Sequence, residues 1–107
     1  MTKWREIGVG EANRRALQAL QAARVRPYFA RLRVMAKLID APVDRTLTAS
    51  ELHRELVCAH TPMALSSVYA SLKVLAEHGL VQGCDERPGA YRLAPGVGAP
   101  SSADGVA

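Results

Sequence analysis

The segment Thr48-Ala49-Ser50-Glu51, with Leu47 before it and Leu52 after it, fixes where a helix must begin. The Thr hydroxyl is placed to accept from the Glu51 backbone N–H while the Glu side chain reaches back to the N–H of Thr48, which pairs two donors that a first helical turn leaves open. Leu47 and Leu52 sit where a hydrophobic staple closes across such a cap. The helix runs to about Cys58 or Ala59, burying Leu52, Leu56 and Val57, and breaks before Thr61-Pro62. After a brief turn comes the stretch Met63 to Leu80, MALSSVYASLKVLAEHGL. On a 3.6-residue period Leu65, Val68, Leu72, Leu75 and Gly79 fall on one side. Ser66, Ala70, Lys73 and Glu77 fall opposite, with Ser67 and Tyr69 on the flanks. A capped helix, a tight connection and a second helix with short outward residues make a helix-turn-helix arrangement. A helix buried along one stripe, with small polar groups and a phenol outside, has the shape to enter a DNA major groove, so residues 63–79 are read as a recognition helix.

The flanks extend this unit. Upstream, Glu11 to Ala23 is rich in helix formers, with Ala16, Leu17, Leu20 and Ala23 along one thin apolar side. A second helix covers Pro27 to Ile39, with Pro27 in its first turn and Phe29, Leu32, Met35, Ala36 and Ile39 at helical spacing. It ends in the turn Asp40-Ala41-Pro42-Val43-Asp44, and Arg45-Thr46-Leu47 reads as a short extended run. Residues 1–10 read as a flexible lead-in, set apart by Gly8 and Gly10, with Trp4 as the one anchor. Downstream, Val81–Cys84 and Ala90–Leu93 flank the turn Asp85-Glu86-Arg87-Pro88-Gly89, a β-hairpin with Arg87 at its tip. Residues 94–107, mostly Ala, Gly, Pro, Ser and Val, read as a disordered tail. The expected fold class is mainly α with a small β-hairpin: a winged helix-turn-helix over residues 11–93, with the wing at 81–93.

The charge is uneven. Residues 1–33 hold eight Lys or Arg against two Glu, a net +6, which leaves six against eight, a net −2, for the rest of a chain of formal charge +4. A basic N-terminal third favours a polyanionic partner, although a solvated basic helix face has the same composition. Arg14, Arg15, Arg24, Arg26, Arg31 and Arg33, with Lys73 and Arg87, are the residues available to neutralise phosphates. At 107 residues there is room for one small core and no second domain. Residues 1–10 lack the apolar run of a signal peptide and no segment approaches membrane-spanning length, so no membrane partner is expected and the cytoplasm is the expected compartment. Cys58 and Cys84 stand far apart and outside any Cys-x-x-Cys pattern, and are expected as reduced, buried, small apolar side chains. His53, His60 and His78 are scattered singly and read as solvated or locally hydrogen-bonded, so no metal site is expected. There is no Gly-rich phosphate loop, no pair of carboxylates in a plausible cleft and no nucleophile with a base beside it; the chain does not read as an enzyme, and no cofactor is expected.

Several of these segments, taken together, resemble the N-terminal DNA-binding domain of the ferric uptake regulator (Fur) family. They are Arg31-Leu32-Arg33-Val34-Met35, Leu47-Thr48-Ala49-Ser50-Glu51-Leu52, Leu65-Ser66-Ser67-Val68-Tyr69, Leu72-Lys73-Val74-Leu75, Gly79-Leu80-Val81 and Tyr91-Arg92-Leu93. The resemblance covers about residues 12–93. It implies a winged helix whose fourth helix enters the major groove, with Ser67 and Tyr69 near bases and Arg31 near phosphate. Two positions depart from it: Ala70 stands where the family usually carries Arg, and Ala64 where a Ser normally caps the recognition helix. The family's His-rich stretches, Cys pairs and C-terminal dimerisation domain have no counterpart in these residues, so metal sensing is not carried over.

The expected DNA-binding residues are therefore Arg14, Arg15, Arg31, Ser66, Ser67, Tyr69, Lys73 and Arg87. The expected function is sequence-specific double-stranded DNA binding by a small bacterial transcriptional regulator. One copy spans few base pairs, so a homodimer is the expected partner arrangement, with the first helix as the place for self-association. The alternative is a winged-helix module for protein–protein interaction without DNA binding, favoured by the neutral outer face of residues 63–79 and opposed by the basic N-terminal third.

Overall fold

The computed structural model describes residues 3–41 and 45–97, with side chains from residue 10 on. Among these residues four helices and three short strands follow one another: α1 (Lys3–Ala22), α2 (Phe29–Asp40), β1 (Leu47–Thr48), α3 (Ala49–Cys58), α4 (Leu65–Glu77), β2 (Val81–Gly83) and β3 (Ala90–Leu93). The capping box forms as the sequence requires. Glu51 N donates to Thr48 Oγ1 at 3.1 Å, and Thr48 N donates to Glu51 Oε1 at 3.0 Å. Thr48 is both the last residue of β1 and the N-cap of α3, so the strand turns into the helix without a linker.

The strands form one antiparallel sheet in the order β1-β3-β2. β2 and β3 are the hairpin, with Val81 opposite Leu93 and Gly83 opposite Tyr91, and β1 adds to the other edge of β3, with Thr48 opposite Ala90. α2 lies at the centre, packed on α1, α3 and α4 and touching β3. Val34, Met35, Ala36 and Leu38 on α2 are all buried, because neighbours cover it from several sides. Leu20 of α1, Leu47, Leu52 and Leu56 around α3, and Val68, Leu72 and Leu75 of α4 complete the core. Helices, a helix-turn-helix and a hairpin in this order make the winged helix that the sequence predicts.

The differences lie mostly at element ends. α1 begins at Lys3, so the expected lead-in is helical from there, and the cost of Gly8 and Gly10 inside a helix, about 1 kcal/mol each, is tolerated. The role expected of Trp4 lies outside the described side chains. Phe29 and Leu65 were expected on packed faces, yet are 64% and 37% exposed. Each is the first residue of its helix, and full burial starts only at Val34 and Val68. Val57 and Cys58 close α3 and are exposed as well, so Cys58 is not the buried thiol expected; Cys84 is half-buried and both are free. Part of the turn at residues 40–44 lies outside the described residues, as do residues 98–107 of the expected tail. Before them, Ala94 is buried, with its N–H donating to Leu80 O at 3.0 Å, and Val97 packs against the core.

Three helices end in the same way. The N–H of Val25 donates to Leu20 O at 2.8 Å, that of Thr61 to Leu56 O at 2.8 Å, and that of Leu80 to Leu75 O at 2.9 Å. Each closes a left-handed C-cap whose turning residue has positive φ: Arg24 at 60°, His60 at 61° and Gly79 at 75°. Glycine adopts this conformation freely, whereas a side chain costs about 1 kcal/mol there. Gly79→Ala is therefore expected to lower stability by about 1 kcal/mol and His60→Gly to raise it by a few tenths, both read as shifts of the urea midpoint at unchanged slope.

Candidate nucleic-acid interface

α4 presents the residues that the sequence nominates. Ser66, Tyr69 and Lys73 follow at i, i+3 and i+7 along one exposed face, with Ala70 beside them and Ser67 half-buried at the flank. Tyr69 is 56% exposed, so it does not bridge two helices within the core. The opposite face, with Val68, Ser71, Leu72 and Leu75 buried, seats the helix on α2 and α3. No acidic residue occurs on α4 before Glu77, and the exposed face is small, neutral and then basic. Leu65, displaced from the core, adds an apolar group at its start.

The arginines are not equivalent. Arg14 and Arg15 on α1 both bond the carboxylate of Glu11, with the Arg15 Nε 2.8 Å from Oε2. Arg45 pairs with Glu55, and Arg87 with Glu51. Arg31 lies over the ring of Tyr28, 4.5 Å from its centroid, and its Nη1 donates to Arg26 O at 3.1 Å. Arg33 spans three elements: Nη1 donates to Asn13 Oδ1 on α1 at 2.8 Å, and Nη2 to Thr61 Oγ1, just before α4, at 3.4 Å. Residues 23–39 contain Arg24, Arg26, Arg31, Arg33 and Lys37 and no Asp or Glu. Among the described residues none of these five is in an ion pair with a carboxylate. Uncompensated positive charge therefore centres on the α1–α2 connection and α2, on Arg24, Arg26, Arg31 and Arg33, which the sequence already offers for phosphate, joined by Lys37.

Arg87 does not project from the wing. Its Nη1 donates to Thr46 O at 3.0 Å and to Thr46 Oγ1 at 3.3 Å, while Nη2 donates to Glu51 Oε2. The arrangement thus gathers Ser66, Tyr69 and Lys73 on one face, ties Arg14 and Arg15 to the one carboxylate of Glu11, holds Arg31 at the start of α2, and folds Arg87 back onto α3. Tyr28, 56% exposed, stands under Arg31, a pairing that the helical periodicity alone did not signal. Among the described residues no group of three or more His, Cys, Asp or Glu is arranged to hold a metal ion, and no helix is long and apolar enough to cross a membrane.

No family model and no curated protein matches the sequence. Solved structures do match the fold. The chain is similar to the ferric uptake regulator (Fur) of Vibrio cholerae, whose crystal structure concerns a rearrangement of its DNA-binding domains: TM-score 0.62 and 22% identity, covering 74% of this chain and 61% of that one. It is also similar to the PerR-Zn-Zn structure from GAS, with TM-score 0.59 and 24% identity, covering 77% of this chain and 53% of that one. The chain therefore spans about three fifths and about half the length of the two. What is shared is the winged-helix fold, the fold implied by the sequence resemblance.

Glu51 carries the clearest electrostatic signature. The Arg87 hydrogen bond lowers its pKa most, the Thr48 backbone bond next, desolvation opposes them, and the charges of Arg87 and Arg45 add to the lowering. A carboxylate with a depressed folded pKa contributes stability that is fully present above its unfolded pKa, about 4.3, and is lost as pH falls through the folded value. On acidification from about pH 5 to about pH 3 the thermal midpoint is expected to fall, and to fall less steeply in Glu51→Gln, which keeps the cap's acceptor but cannot ionise. Equal slopes in the two proteins would refute this assignment.

Proposed function

We propose that this chain binds double-stranded DNA as a bacterial transcriptional regulator in the cytoplasm, with α4 in the major groove. The observation that carries the reading is the exposed face of α4. Ser66, Tyr69, Ala70 and Lys73 form a surface without acids, short enough to approach base edges, on a helix whose other side is fixed in the core. The unpaired cations of residues 23–39 supply sequence-independent attraction to phosphate, with Arg31 held ready by the Tyr28 ring. In this reading Ser66, Ser67 and Tyr69 lie near bases. Lys73 and Arg31 serve the backbone, and Arg14 and Arg15 join them by exchanging Glu11 for phosphate, since exposed ion pairs are worth only about 0–1 kcal/mol. The DNA-binding domains of the Vibrio cholerae Fur structure support the assignment by likeness of fold.

A single copy offers α4 to only a few base pairs, and a second copy on an adjacent half-site is the simplest way to useful affinity. The competing reading, a protein-docking winged helix, draws on the near neutrality of the same α4 face.

Fluorescence anisotropy on a mixed duplex pool across a salt series tests the proposal. The parent is expected to bind with a steep log-log salt slope, and an Arg26/Arg31/Arg33 to Ala triple variant to flatten it by about two to three. Tyr69→Ala is expected to weaken binding while changing stability by less than about 0.5 kcal/mol, because the ring is exposed. Absence of binding even at low salt would sink the DNA reading and favour the protein-docking one.

A further inference from the structure

The hairpin of a winged helix is expected to lay its tip cation on the DNA backbone, and here the tip cation is folded back along the surface onto the start of α3. Arg87 joins three places at once: the tip of the hairpin, the carbonyl and hydroxyl of Thr46 just before β1, and the Glu51 carboxylate in the first turn of α3. Glu51 divides its two oxygens between duties. Oε1 closes the capping box on the Thr48 N–H at 3.0 Å, and Oε2 receives the guanidinium. The pairing of Thr48 with Ala90 already attaches the turn-proximal end of β3 to the same helix end, and Arg87 adds a second point of attachment from within the turn itself.

The turn Asp85–Gly89 holds two acids and one base, and once Arg87 is used this way both acids are left uncompensated. Asp85 and Glu86 are exposed, and among the described residues neither is in an ion pair. Two free carboxylates carried to the phosphate backbone repel it, so a wing lying tip-down on DNA would lose attraction where it needs it. Arg14 and Arg15 hold Glu11 alone, whereas the Arg87 guanidinium also bonds the carbonyl and hydroxyl of Thr46, so its several donors are divided among fixed partners.

We infer that Arg87 is a positioning residue and not a phosphate ligand: it locks the wing onto the capped end of α3 and so fixes the hairpin relative to the helix-turn-helix. The consequence at DNA rests on the DNA-binding reading, whereas the lock is a property of the free chain. The wing then acts by its angle, and its acidic tip is held off the backbone. Glu51 serves both the helix start and the lock, and the two roles separate chemically, because a Gln at position 51 keeps the capping acceptor and loses the charge.

Amide hydrogen exchange on the full chain is the first test, with Arg87→Ala, Arg87→Lys and Glu51→Gln beside the parent. Arg87→Ala and Glu51→Gln are expected to speed exchange at Cys84 and Ala90 by at least about threefold, with Leu72 and Leu75 of α4 unchanged, and Arg87→Lys to fall between. Unchanged wing exchange in both Arg87→Ala and Glu51→Gln would overturn the inference. On duplex DNA, Arg87→Ala is expected to weaken binding with the salt slope within about 0.3 of the parent. A slope lower by about 0.9, with full recovery in Arg87→Lys, identifies a phosphate ligand and overturns it too. A parent that binds no duplex would end the DNA reading alone, since exchange in the free chain still decides the lock.

Discussion

The start of α3 is the constraint on which the rest depends. Thr48 ends a strand and caps a helix, so the direction of β1 and the axis of α3 are set by one residue, and Glu51 fastens the corner with two reciprocal bonds. A cap of this kind is worth only about 1 kcal/mol as a local interaction. Its influence is larger because three elements take their positions from it. β3 pairs with β1 through Leu47 and Thr48, β2 pairs with β3, and Leu52 and Leu56 reach from α3 into the core shared with α4. The corner therefore links the wing to the α3–α4 pair, beside the direct packing of α4 on β2.

Charge is distributed with a similar economy. Among the described side chains, Arg14 and Arg15 on α1, Arg45 and Arg87 are matched by nearby carboxylates, and the five in residues 23–39 are not, nor are Arg54, Lys73 and Arg92. Leaving them unmatched carries some self-repulsion, relieved by arrangement: Arg31 spreads its charge over the Tyr28 ring and a carbonyl, and Arg33 over an amide and a hydroxyl. Arg33 also connects α1 to the turn before α4, so a polyanion engaging this region meets a side chain already in contact with the approach to the recognition helix. A positive field and a helix seat are thus built from the same residues.

Much of the fold was legible because its signals are local. The capping box, the Gly79 stop, the period of α4 and the hairpin turn each depend on residues within a few positions of one another; each forms, although of the α4 stripe Val68, Leu72 and Leu75 are buried while Leu65 and Gly79 are exposed. Periodicity shows which face of a helix is apolar but not where along its length a neighbour stops covering it, and Phe29, Leu65, Val57 and Cys58 all sit at that limit. Nor does it show a helix covered from several sides, as α2 is. Positive φ at Gly79 is predictable from the residue, whereas at Arg24 and His60 the side chains oppose it and only the bonds of the C-cap enforce it. The candidate site was half legible. The exposed α4 face follows from spacing alone, but the choice of partner for each arginine is a long-range matter. Arg87 and Glu51 are 36 positions apart, and nothing local distinguishes Arg87 from the exposed Arg92.

The composition of α4 limits what such a helix can discriminate. Strong direct readout uses forked donors, Arg on guanine or Asn and Gln on adenine, each worth about 1–3 kcal/mol against the wrong base. The exposed face here has no fork: Ser66 and Ser67 accept or donate to several bases, Tyr69 offers a ring and one hydroxyl, and Lys73 is a point charge. Ala70 and Leu65 offer only apolar contact, which suits a thymine methyl group. In the proposed DNA reading, such a helix would offer thymine-methyl contact with modest discrimination per position. If the chain binds DNA as proposed, tight and selective binding would have to come from repetition, two copies at one helical turn multiplying two modest preferences.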